Sequence, residues 1–255
     1  MDCIVGLTEI PTNSVDLIVT SPPYYNAREY AQWKTYNDYL YFITNVIREC
    51  GRVLKKGGFI CWNVSPRIVV DGRKYSLGFD TQAMLEYAVD DKQEQIFTYY
   101  DNLIWAKPKG GYRLSFAETK WQNMSKKGDR PVRLMPRYEN IFIYSKGDPF
   151  ECRLQTLPQL DKPFWHWGNV CDLPVDHLPG HHGVFPIELP KQMIDWFCTS
   201  ENGLVLDPFM GSGTTAVSAK LLGHNFIGFE THQEYIKYFT DWEEKNAREG
   251  IFDRP

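Results

Sequence analysis

What the 255-residue sequence lacks narrows its class before anything it contains. No apolar run approaches the roughly 18 residues of a membrane span and nothing reads as a signal peptide, which predicts a soluble, intracellular chain with no membrane partner. The six cysteines, Cys3, Cys50, Cys61, Cys152, Cys171 and Cys198, contain no C-x-x-C pair, so reduced thiols in the cytoplasm are expected rather than a disulfide framework. Metal spacing is missing too: His181, His182 and Cys171 have no second ligand pair, and they read as loop residues. There is no G-x-G-x-x-G dinucleotide fingerprint, and no lysine follows Gly213 in "GSGTT", which excludes a phosphate-cradling P-loop. An overall positive charge, the usual mark of a nucleic-acid binder, is likewise absent, the net value being −4.

The location of the charge changes that last exclusion. From Lys107 to Lys146 ten Lys/Arg stand against three acids, a local +7 that leaves −11 on the remainder. Tyr112, Phe116, Trp121 and Tyr138 are interleaved with these cations. A basic, aromatic stretch on an acidic body has the make-up of a phosphate-contacting surface, the alternative being a solvated loop. Lys109, Arg113, Lys126, Lys127, Arg130 and Arg133 are the candidate DNA contacts, within a region 109–137 that has little hydrophobic period and reads as an insertion.

With 43% apolar and 24% charged residues, the chain has the make-up of one globular domain, 1–255. Asp16 to Thr20 reads as a buried strand, Tyr36 to Leu54 as a helix closed by "KKGG", and Phe59 to Val64 as a second strand. A helix is expected over Thr81–Val89, strands over Tyr99–Pro108 and Tyr138–Lys146, then coil to His182 and a helix over Pro186–Cys198.

The last third carries a stronger pattern. "GLVLDPFMGSGTT" is a short strand, Asp207 at its end, a glycine turn at Gly211 and Gly213, and a helix from Thr214 to Leu222. "HNFIGFE" adds a strand that leads to Glu230. Strand, glycine turn, helix, strand and acid is the layout by which α/β folds hold a nucleoside cofactor: small residues admit close backbone approach, and the second carboxylate accepts from ribose hydroxyls. A cofactor with a ribose and no essential phosphate fits, S-adenosylmethionine being the commonest.

Near the start, "DLIVTSPPYY" ends a strand in Ser21, two prolines and two tyrosines. The prolines remove two N–H donors and leave carbonyls to accept from something else, with the Tyr24 ring alongside. Such an exit suits a planar group bearing an NH₂; a stiff turn with Tyr24 in the core is the competing reading.

Together, "TSPPYY" and "DPFMGSGTT" resemble the amino-methylating DNA methyltransferases of the β arrangement, in which the S/D-P-P-Y motif comes first and the cofactor motif last. "HHGVFPIELPKQMIDWF" is similar to that family's H-x-x-x-F-P-x-E-L segment, and "WGNVCDLP" to its W-x-x-D-x-P. The resemblance spans most of the chain. It implies an α/β, Rossmann-like S-adenosylmethionine-dependent methyltransferase fold with a mostly parallel central sheet, a circularly permuted motif order and an inserted target-recognition region. Ser21, Pro22, Pro23 and Tyr24 would form the catalytic set. Phe185, Pro186, Asp207, Pro208, Phe209, Gly211, Ser212, Gly213 and Thr214 would line the cofactor pocket, with Glu230 on the ribose. The family's "GDC" strand is reduced here to "MDC", so Asp2 matches the acid that reaches the adenine while the strand and its glycine are missing.

The chemistry that this implies is methyl transfer from S-adenosyl-L-methionine to an exocyclic amine of a flipped base in double-stranded DNA. Ser21 and the Pro22 carbonyl would accept the amine hydrogens and Tyr24 would stack the base. Ser rather than Asp or Asn at this position resembles the N4-cytosine branch. N6-adenine methylation, a noncatalytic nucleic-acid-binding module and protein glutamine methylation are the competing functions, the last running its motifs in the opposite order. A cognate restriction endonuclease and a homodimer stay open.

Overall fold

Val15–Thr20 forms the first strand, β1, because a β-branched apolar run buried on both faces is stable only inside a parallel sheet. The computed structural model describes residues 1–27, 31–107, 136–148, 170–173 and 185–248. Nearly all of the inserted region 109–137, including its six candidate DNA-contact cations, lies outside the described residues, as do His181 and His182.

Ahead of β1 lies the helix α1 (Cys3–Glu9), capped by Asp2, whose Oδ1 accepts from the Ile4 and Val5 N–H groups. After β1 come α2 (Tyr36–Val53) and β2 (Leu54–Val64), a small hairpin β3 (Ile68–Val70) and β4 (Arg73–Tyr75), and α3 (Leu77–Glu86). Then follow β5 (Phe97–Ala106), β6 (Tyr138–Lys146), β7 (Val170–Asp172) and α4 (Glu188–Phe197). The chain closes with β8 (Leu204–Asp207), α5 (Thr214–Leu221), β9 (Asn225–Gly228) and α6 (Gln233–Arg248).

The main sheet runs β7-β5-β6-β2-β1-β8-β9. β6 alone in it runs against its neighbours, so the sheet is mostly parallel, as expected. Alternation along the strands feeds two cores. Ile18, Ile60 and Leu206 face α2 through Tyr39, Ile43, Val46 and Ile47, whereas Leu17, Val19 and Cys61 face α4 through Leu189, Met193 and Ile194. Each such aliphatic side chain contributes about 1.5–3 kcal/mol on burial. A capping box fixes the start of α2: Thr35 Oγ1 accepts from the Asp38 N–H at 3.1 Å, and the Asp38 carboxylate accepts from the Thr35 N–H at 3.0 Å.

Several boundaries differ from expectation. The "KKGG" stretch is part of β2 rather than a stop before it: Lys55 pairs with Asp16 at 2.7 Å, and a Cβ on Gly58 would lie 2.7 Å from the Asp16 carbonyl. Its glycine serves close strand approach. α3 starts four residues before the expected Thr81, and β7 lies in a stretch expected to be coil. Neither α1, α6 nor the β3–β4 hairpin is anticipated by period alone.

Candidate active site

Strand order places the site. From β1 the chain crosses to β2 on one side, and from β8 to β9 on the other, so β1 and β8 flank the point where the winding reverses. In open α/β sheets that crevice, beyond the carboxyl ends of the strands, takes the ligand. Leu17 pairs with Val205 and Ile18 with Leu206, which brings the Ser21–Tyr24 exit and the Asp207–Gly213 turn to the same end of the sheet.

Asp207 joins the two. Its Oδ1 accepts from Thr20 Oγ1 at 2.6 Å and from the Phe209 N–H at 3.0 Å, and its Oδ2 from Thr215 Oγ1 at 2.8 Å. Three of a carboxylate's roughly four acceptor positions are therefore taken inside the protein. Asp207 braces the exit of β1, the glycine turn and α5 against one another. Burial raises its pKa to about 6, against the opposing pull of the three donors.

Glu230, two residues beyond β9, ties the glycine turn to the chain that follows. Its Oε2 accepts from the Gly211 N–H at 3.0 Å, and its Oε1 from the Thr231 and His232 N–H groups, each at 2.8 Å. With the Gly211 N–H as its donor among the described residues, Oε2 retains lone-pair capacity for a hydroxyl. Asp2 is drawn to the same place: the Met1 amine donates to the Glu230 carbonyl at 2.6 Å, and α1 packs so closely that a Cβ on Gly6 would lie 2.2 Å from the Phe229 ring. Its carboxylate meanwhile caps α1. Gly213 is in the left-handed region (φ 86°), and a Cβ there would lie 2.7 Å from Phe239 Cβ, so this glycine serves the turn and the packing of α6. Ser212 is buried and Thr214 opens α5. Phe185 and Pro186, both buried, stand beside α5, since Ser218 Oγ donates to the Ile187 carbonyl at 3.2 Å. Pro208 and Phe209 follow β8, the Phe209 ring meeting Phe42 and Trp62.

On the β1 side a polar group forms that the sequence does not announce. Asn63 Nδ2, at the end of β2, donates to Ser21 Oγ at 3.3 Å and to Glu139 Oε2 at 2.8 Å. Tyr24 Oη donates to the same Glu139 oxygen at 3.2 Å and accepts from the Ser65 N–H at 3.0 Å. Lys107 Nζ pairs with the other oxygen, Glu139 Oε1. Burial, then the Glu139 carboxylate, holds the Tyr24 phenol well above its ordinary pKa. Pro22 is buried and Pro23 half-buried, while Tyr25 packs into an aromatic core against Tyr36 and Tyr75. The structure thus joins Ser21 and Tyr24 to Asn63, Lys107 and Glu139, three residues that sequence reasoning missed. A buried acid near the head of a β-branched strand, "YENIFIY", is the signal that was available for Glu139.

A doubly wound sheet with these two motifs at its switch point has the fold of S-adenosylmethionine-dependent DNA methyltransferases. The chain belongs to the DNA methylase family, whose model matches residues 15–241. It is 31% identical over 249 residues to the type II beta methyltransferase M.BslI of Bacillus sp. (strain NEB-606), covering 92% of this chain and 26% of that protein. To the type II methyltransferase M.BglII of Bacillus subtilis it is 30% identical over 249 residues, covering 92% and 65%. The chain therefore spans about a quarter and just under two thirds of those two relatives. Among solved structures, the PvuII DNA methyltransferase (cytosine-N4-specific) matches with a TM-score of 0.69 at 18% identity, over 99% of this chain and 91% of that one. A DNA modification methylase from Thermus thermophilus, complexed with S-adenosyl-L-methionine, matches with a TM-score of 0.66 at 23% identity, over 96% and 91%.

Proposed function

We propose that the chain transfers a methyl group from S-adenosyl-L-methionine to the N4 amine of a flipped cytosine in double-stranded DNA, as the modification activity of a restriction-modification system. The observation that carries this reading is the pairing of β1 with β8, which sets an amine-accepting exit beside a nucleoside-type turn, braced by the 2.6 Å Thr20–Asp207 hydrogen bond.

S-adenosyl-L-methionine is the cofactor, and it supplies an electrophilic methyl on a sulfonium. The residues present fit it: Glu230 has an oxygen with capacity for a ribose hydroxyl, and Asp2, Phe185, Pro186 and the stretch 207–214 surround the same end of the sheet. The exocyclic amine of a nucleobase is a poor nucleophile because its lone pair is delocalised into the ring. Ser21 Oγ and the Pro22 carbonyl accept its hydrogens, aim the lone pair and stabilise the positive charge that develops on nitrogen. Tyr24 is suited to stacking, since its ring is half-buried while its hydroxyl is tied down by Glu139 and Ser65. The uncharged, short Ser21 side chain leaves room for a pyrimidine amine and favours cytosine over adenine. The basic region 109–137 contacts the phosphates and reads the flanking bases, with Lys109, Arg113, Lys126, Lys127, Arg130 and Arg133 as its cations.

The test is direct. DNA is incubated with the protein and methyl-labelled cofactor, digested to nucleosides and resolved by mass spectrometry. Label in N4-methylcytosine is expected; label in N6-methyladenine would move the substrate to the other amine, and no label in DNA would overturn the reading.

A further inference from the structure

We propose that Glu139, held by Lys107, is a positioning residue for methyl transfer, fixing the Tyr24 ring and the Ser21 hydroxyl as one rigid seat for the target base. The inference rests on the reading above, that Ser21 and Tyr24 receive the base.

The geometry is specific. One oxygen of Glu139 accepts from both arms of the seat, Tyr24 Oη at 3.2 Å and Asn63 Nδ2 at 2.8 Å, and the same Asn63 amide donates on to Ser21 Oγ at 3.3 Å. The other oxygen is occupied by Lys107, which sits at the end of β5 over the Trp105 ring. Glu139 and Asn63 are buried, at 8% and 2% exposure, so neither solvates its polar groups in water. A carboxylate so placed can only accept, and it therefore sets the direction of every bond in the chain. Tyr24 must donate toward Glu139, and Asn63 must turn its NH₂ toward Glu139 and Ser21. With the Asn63 NH₂ donating to it, Ser21 Oγ keeps an acceptor position for a hydrogen of the amine.

The cost of the arrangement is visible. Asn63 Oδ1 is buried with no hydrogen-bond partner among the described residues, because the opposite orientation would set that oxygen against the Glu139 carboxylate. Buried unsatisfied polar atoms are rare enough that each needs an explanation, and a constraint imposed from the reactive end supplies one. Lys107 and Glu139 also lie close to the closing contact of the inserted region, where the Lys107 N–H donates to the Arg137 carbonyl at 2.8 Å. The seat is thereby built on the hairpin of β5 and β6 as well as on β1 and β2.

The experiment is a double-mutant cycle on single-turnover methyl transfer to DNA at saturating cofactor and DNA. Tyr24→Phe keeps the ring and removes its bond to Glu139; Glu139→Ala removes the acceptor. Each single change is expected to slow transfer by about tenfold to a hundredfold, as displaced positioning groups do. The double variant is expected to be no more than about twofold slower than the slower single, because both changes break one device. The dissociation constant of S-adenosylmethionine, read by calorimetry, stays at the parent value in all three. Should Glu139→Ala not fold, the pair Lys107→Met with Glu139→Gln carries the same cycle with Tyr24→Phe, leaving no unpaired buried charge. Rates that multiply independently, or a Glu139 variant as fast as the parent, would overturn the proposal while leaving DNA methylation intact. A parent protein that labels no DNA would instead overturn the reading on which it rests.

Discussion

Thr20 and Asp207, 187 positions apart in sequence, meet through a 2.6 Å hydrogen bond between the last residues of two neighbouring strands. That bond locks the amine-accepting exit to the cofactor turn. With Thr215 and the Phe209 N–H it makes Asp207 a brace, so its replacement should be felt first as reduced stability. Asp207→Ala strands two buried hydroxyls and an N–H and should cost about 2–4 kcal/mol in urea unfolding. Asp207→Asn keeps the shape, and the hydroxyls can turn to accept, so its cost should stay near about 1 kcal/mol. The acidity gives a second readout. Because the folded pKa of Asp207 is raised to about 6 from 3.8, its contribution to stability is fully present below pH 3.8 and is lost as pH rises through 6. The loss is about 3 kcal/mol in order of magnitude, and Asp207→Asn should flatten it.

Gly213 is a sharper structural probe of the turn. Its φ of 86° and the 2.7 Å approach to Phe239 both reject a side chain. Gly213→Ala should destabilise the fold by more than about 1 kcal/mol and raise the cofactor dissociation constant in parallel, measured by chemical unfolding and calorimetry. Equal stability and equal affinity would remove the turn from the account.

Glu230→Ala separates ribose binding from architecture. Loss of a hydrogen-bonded carboxylate facing the ligand should weaken S-adenosylmethionine by about 1–3 kcal/mol in calorimetry. Its backbone donors, Gly211, Thr231 and His232, lie at the chain surface or partly exposed, so thermal stability should fall far less than in Asp207→Ala.

Much of this architecture can be read in the sequence. The strand exits at Thr20 and Asp207 are legible because apolar β-branched runs stop at proline, and β6 is legible to the residue. What escapes is whatever depends on tertiary packing. α1 is a single short amphipathic stretch whose cap, Asp2, looks like a remnant of a strand motif. "KKGG" imitates a helix stop because Lys55 finds its partner, Asp16, only across the sheet. In the site the two motifs are legible, whereas Asn63, Lys107 and Glu139 are not. They stand on or beside three different strands, and no local spacing relates them before β2, β5 and β6 pair.

The basic region offers a test independent of the site. Neutralising Lys126, Lys127 and Arg130 together should weaken DNA binding and lower the slope of log K against log salt by up to about 0.9 for each phosphate that is no longer neutralised. Cofactor affinity should stay unchanged. An unaltered slope would place the phosphate-binding cations elsewhere on the chain.

The central claim is that the exit of β1 holds the amine during transfer, and Ser21→Ala tests it most directly. Single-turnover methyl transfer is followed at saturating cofactor and DNA, with circular dichroism and cofactor calorimetry as controls. The account predicts a folded protein with parental affinity for S-adenosylmethionine and a transfer rate lower by about a hundredfold or more, as when one positioning acceptor is removed from a developing charge. A folded Ser21→Ala variant that transfers as fast as the parent would contradict it, and "SPPY" would then be only a stiff turn at the end of a strand.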